Sequence, residues 1–171
     1  MPAPSTTERM SERLTDPVDT LGESPVWRVR EQALYWVDIA GRRVNRLDMA
    51  SGKRRAWSTG EMPACIAFAR DGGLLAAMES GIFGLELGED RAAKATRLAS
   101  VSHPMAAMRF NDGRCDRQGR FWAGTMHTDI PAAHAVGSLY RYDPDGSLNG
   151  PLEGGLVIQN GLAWSPDAIS A

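Results

Sequence analysis

Short runs rich in Val, Ile, Trp, Tyr and Phe recur in groups along this chain, separated by Gly, Asp and Pro clusters, while apolar residues at helical spacing are almost absent. The runs span 25–29, 33–39 and 43–48, then 64–69, 73–78 and 82–87, then 113–116, 120–126 and 137–142, with 161–164 opening a further group. Asp71-Gly72-Gly73, Asp116 to Gly119 and Asp145-Gly146 supply the residues that tight reversals need for their backbone angles. Aligning the first run of each group on Trp27, Phe68, Cys115 and Trp164 gives steps of 41, 47 and 49 residues. An all-β chain that repeats every 40 to 50 residues or so, with three or four short strands per unit, predicts the blades of a β-propeller.

A sandwich of short strands would show the same spacing of strands, so the register of the repeat has to separate the two. Four residues before each aligned position stand Glu23, Ala64, Asn111 and Asn160. In a radial array equivalent positions face one axis, so a carboxylate and two carboxamides would converge on one mouth of the channel as a ligand or metal site. Sandwich geometry implies nothing comparable. By composition alone Asn160-Gly161 and Asn111-Asp112-Gly113 are ordinary turn sequences, and Asp112 needs no role beyond fixing its loop. The shared register is what sets the asparagines apart.

The segments LGESPVW (21–27), LYWVDI (34–39), RFNDGRCDRQGRFWAGTM (109–126), GSLYRYDPDG (137–146) and NGLAWSPD (160–167) resemble, in this order, the gluconolactonase/regucalcin family, which includes senescence marker protein. The resemblance runs from Leu21 to Asp167 and implies a six-bladed propeller. Here it would comprise about three blades, over 21–60, 61–105 and 106–156, and the first strand of a fourth in 157–171. Residues 1–20 would form a poorly ordered lead-in, with Met10 an alternative start.

By the same resemblance, the activity is hydrolysis of a sugar lactone to its aldonic acid, assisted by one divalent cation, most often calcium, with zinc, manganese and magnesium as substitutes. Glu23 would be its carboxylate ligand and Asn160 its carbonyl-oxygen ligand, while Arg109 and Asn111 would contact the substrate. Oxygen donors suit a hard cation, and few protein ligands leave positions for water and substrate. The family's third ligand, an Asp that also acts as general base, would lie beyond Ala171. The chain is therefore expected to be a truncated form, inactive alone and prone to self-association through exposed blade faces. Two other readings share the propeller: a non-enzymatic module that binds calcium or a protein, and a related esterase.

The remaining features are exclusions. A net charge of −2 with interspersed signs gives no footprint for nucleic acid or an anionic membrane. No run of roughly 18 apolar residues is present and the start lacks the apolar core of a signal peptide, which points to the cytoplasm. Cys65 and Cys115 have no Cys or His at ligand spacing and read as buried thiols. His103, His127 and His134 read as loop histidines, Asp143 and Asp145 as turn residues, and Trp27, Trp36, Trp122 and Trp164 as packing between blades.

Overall fold

A computed structural model describes residues 13–165. Twelve strands form three four-stranded antiparallel sheets, each a meander in chain order. The first sheet holds β1 (Gly22–Arg28), β2 (Ala33–Asp38), β3 (Arg43–Asp48) and β4 (Arg54–Ser58). The second holds β5 (Cys65–Phe68), β6 (Leu74–Ala77), β7 (Gly81–Glu86) and β8 (Lys94–Ser100). The third holds β9 (Met108–Cys115), β10 (Phe121–His127), β11 (Gly137–Tyr142) and β12 (Leu148–Leu156). One 3-10 turn, Val29–Glu31, links β1 to β2, and no α-helix occurs among the described residues.

Strands β4, β8 and β12 had no counterpart among the apolar runs. They lie outermost; β8 and β12 are largely exposed and β4 buries only Trp57, so little forces alternating apolar residues into their sequences. Residues 161–164, expected to be a strand, form none, because no described segment pairs with them and a strand exists only within a ladder.

The second sheet explains the strength of the pattern in the middle of the chain. Ile66, Leu74, Ala76, Met78, Phe83 and Leu85 face the first sheet and meet Tyr35, Val37, Ile39 and Val44. Cys65, Ala67, Ala77 and Ile82 face the third sheet and meet Phe110, Phe121, Ala123 and Tyr140. A sheet covered on both faces needs apolar residues at successive positions, hence the near-continuous runs CIAF and LLAA. The sheets approach one another at their first strands, β1 against β5 and β5 against β9.

Two carboxylates close the outer side of the first sheet. Asp19 accepts from Trp36 Nε1 at 2.9 Å, Asn45 Nδ2 at 3.3 Å and Arg54 Nη2 at 2.5 Å. Asp38, fully buried, accepts from the N–H groups of Thr20, Leu21 and Gly41 and from Arg43. Asp19 and Thr20, placed by the sequence in a loose lead-in, are thus fastened to the sheet. Residues 1–12, including Met10, lie outside the described residues.

Candidate functional site

The first strands of the first and third sheets share a defect that the second lacks. On β1, Trp27 pairs with Leu34 and Glu23 with Val37; on β9, Cys115 pairs with Phe121 and Phe110 with Thr125. Each strand therefore carries one extra residue, a β-bulge, between these points. Strand β5 pairs regularly from Phe68–Leu74 to Cys65–Ala77. The equivalence of Trp27, Phe68 and Cys115 is thus a matching position in three hydrogen-bonded ladders, and the bulges fall beside Glu23 and Asn111. A bulge turns a side chain out of the regular alternation, and here it occurs only where the equivalent residue is polar. Ala64, the equivalent residue ahead of β5, is buried.

In β1 the bulge contains Ser24 and Pro25. Ser24 takes a left-handed backbone (φ 51°), and its hydroxyl accepts the N–H of Ile66 at 3.1 Å, tying the bulge to the second sheet. Glu23 is left exposed, and its carboxylate has no hydrogen bond or ion pair among the described residues.

Glu23, Asp112 and Asn160 line one cleft of about 590 Å3, bordered by β1, β5 and β9. Trp27 also lines it at 44% exposure and packs in neither core, which corrects its reading as packing between blades. Asn111 donates from Nδ2 to Gln159 O at 2.8 Å and to Asn160 Oδ1 at 3.2 Å. Arg109 Nη1 donates to Asn111 Oδ1 and to Phe110 O, both at 2.8 Å. A hydrogen-bonded series therefore runs from Arg109 through Asn111 to Asn160. Arg109 is buried, yet its Nε and Nη2 make no hydrogen bond among the described residues. Burial lowers its pKa, opposed by the carboxylates of Glu23 and Glu79.

The structure thus brings Glu23, Asn111 and Asn160 to one end of the first strands and places Arg109 behind Asn111. Asn111, Asp112 and Gly113 lie inside strand β9, where their composition suggested a turn; the strand begins at Met108. Asp112, read as fixing only its own loop, accepts the Gly161 N–H from Oδ2 at 2.8 Å as well as the Gly113 N–H. No local signal marks a partner so distant in sequence. Glycine is required nearby, since a Cβ on Gly124 would collide with the Gln159 side chain and one on Gly113 with Cys65 Sγ and the Trp122 carbonyl.

Among the described residues no three His, Cys, Asp or Glu side chains converge on a metal position. The oxygen donors that line the cleft, the carboxylates of Glu23 and Asp112 and the carboxamide of Asn160, are chemically suited to a hard cation. Cys65 is buried and burial raises its pKa well above the usual thiol value. Cys115 is only half-buried, with its thiol pushed up to about 11 by burial and by Asp116. His127, which ends β10, and His134, in the loop before β11, meet edge to face at 4.5 Å between ring centres. No helix of the described residues is long and apolar enough to cross a membrane.

Comparison with known proteins gives a consistent picture. The family model described as "SMP-30/Gluconolactonase/LRE-like region" matches residues 21–169. A 6-deoxy-6-sulfogluconolactonase from Pseudomonas putida is 41% identical over 151 residues, covering 86% of this chain and 48% of that protein. Regucalcin from Gallus gallus is 39% identical over 150 residues, covering 86% and 49%. The crystal structure of a calcium-binding protein, regucalcin, from Agrobacterium tumefaciens superposes with a TM-score of 0.80 at 26% identity, covering 91% of this chain and 50% of that one. The chain spans about half the length of the curated relatives it matches.

Proposed function

This chain belongs to the SMP-30/gluconolactonase/LRE-like family, and from that premise we propose that it supplies half of a six-bladed propeller that hydrolyses a sugar lactone with the help of a divalent cation. The three sheets correspond in this reading to blades over 21–60, 61–105 and 106–156, with 157–171 leading into a fourth. The observation that carries the proposal is the cleft in which Glu23, with no hydrogen bond or ion pair among the described residues, and Asn160, its Oδ1 engaged by Asn111, stand together.

Glu23 and Asn160 would hold the cation through oxygen. When bound, such an ion would polarise the lactone carbonyl as a Lewis acid and place a water beside it. Calcium heads the list of candidates, with zinc, manganese and magnesium behind it, because oxygen donors discriminate weakly among hard ions. Arg109 keeps Nε and Nη2 for the oxyanion that develops as water adds to the lactone carbonyl, before the ring oxygen leaves; a fixed donor aimed at that charge lowers the barrier. Asn111 positions the lactone ring beside it. A general base is assigned to no residue of this chain, so the 171 residues alone are expected to turn over no lactone.

The decisive assay grafts residues 21–165 onto the complementary half of the Pseudomonas putida relative and measures hydrolysis of a panel of aldonolactones with calcium, zinc or manganese added. Cation-dependent turnover that disappears in Glu23→Ala is expected. A folded graft with no turnover on any lactone would refute the reading.

A further inference from the structure

Residues 159–161 carry Asn160 but belong to no strand among the described residues. An isolated bridge between Met126 and Ile158 brings the chain alongside β10. Beyond it the segment is held to β9 by two side chains. Asn111 Nδ2 reaches Gln159 O and Asn160 Oδ1, and Asp112 Oδ2 accepts the Gly161 N–H at 2.8 Å. Gly161 takes a left-handed backbone (φ 71°), so the chain past Asn160 departs from the extended conformation of a strand.

We infer that Asp112 is a positioning residue: by gripping the Gly161 N–H it fixes the segment through Asn160 and so sets where the Asn160 side-chain oxygen stands. The significance for a cation rests on the reading above. The geometry asks for a carboxylate in particular. Oδ1 accepts the Gly113 N–H beside the bulge at 2.8 Å while Oδ2 accepts that of Gly161, so one rigid group joins β9 to the segment through Asn160. An asparagine there has a single acceptor oxygen and would present its own N–H to one of the two donors. Asn111 divides the work with it, since Asn111 orients the Asn160 amide whereas Asp112 holds the backbone beneath it.

Two measurements on the full chain test this, using Asp112→Asn and Asp112→Ala. The first is amide exchange at Gly161 by NMR, with the core amides of Ala64 and Met78 as folding controls. Loss of a charge-assisted hydrogen bond should speed exchange at Gly161 about tenfold and leave the controls unchanged. The second is terbium binding followed by tryptophan-sensitised luminescence. Asp112→Asn should weaken it about tenfold in the parent chain and not further in an Asn160→Ala background, because a residue acting through Asn160 has nothing left to position. Unchanged Gly161 exchange in both folded variants would overturn the inference. So would additive losses in the double variant, which would make Asp112 a ligand in its own right. A parent chain that binds no terbium would sink the cation reading instead, with the exchange comparison still deciding whether Asp112 holds the segment.

Discussion

Replacing Asp38 with Asn keeps the volume of the side chain and one acceptor oxygen, and removes the charge. Oδ1 accepts from Thr20, Leu21 and Gly41 N–H groups at 3.0 to 3.2 Å, and Oδ2 from Arg43 Nη2 at 2.6 Å. Burial opposes ionisation here, but the Leu21, Arg43, Gly41 and Thr20 donors outweigh it and hold the carboxyl at about 2, against an ordinary 3.8. That gap corresponds to roughly 2 kcal/mol of stability from the ionised form. Because the folded-state pKa is depressed, the contribution is complete above about pH 4 and is lost as pH falls through about 2. Urea titrations followed by tryptophan fluorescence should place the Asp38→Asn midpoint roughly 1 M below the parent at pH 7, taking a slope of about 2 kcal/mol per molar. At pH 3 the difference should shrink to about half. Equal midpoints at pH 7, or a difference that does not narrow at pH 3, would refute the reasoning, since either would mean that the charge does not stabilise the fold.

Gly124 lies opposite the β9 bulge, where an added Cβ would strike Gln159 near the base of its side chain. Gly124→Ala should therefore cost about 1 to 3 kcal/mol in thermal denaturation by displacing the segment that leads to Asn160, and an unchanged melting temperature would show that the segment yields freely. Trp27, Leu152, Val157 and Ile158 are each more than a third exposed. Light scattering on the isolated 171-residue chain should show association that grows with concentration, and a strictly monomeric species would contradict an adhesive role for these side chains.

Much of this architecture is legible from local chemistry. Strands β2, β3, β10 and β5 to β7 announce themselves because they are buried, and β5 to β7 most of all, since both faces of their sheet are covered. The turns at Asp71 and Asp116 are equally plain, with Gly72 and Gly119 at positive φ where a side chain would be strained. The outer strands are not legible, because an exposed ladder is held by backbone hydrogen bonds that leave no mark on residue type.

The candidate site divides in the same way. Glu23, Asn111 and Asn160 could be singled out by counting along the repeat, because each stands four residues before the aligned position of its unit. The order of residues did not reveal the bulges that turn Glu23 and Asn111 out of their ladders, the Asp112 to Gly161 contact across 49 residues, or the Arg109 to Asn160 series. Periodicity reports which face of an element is buried. Which side chain meets which backbone group across the space between elements depends on how whole sheets pack, and that information exists only once the chain has folded.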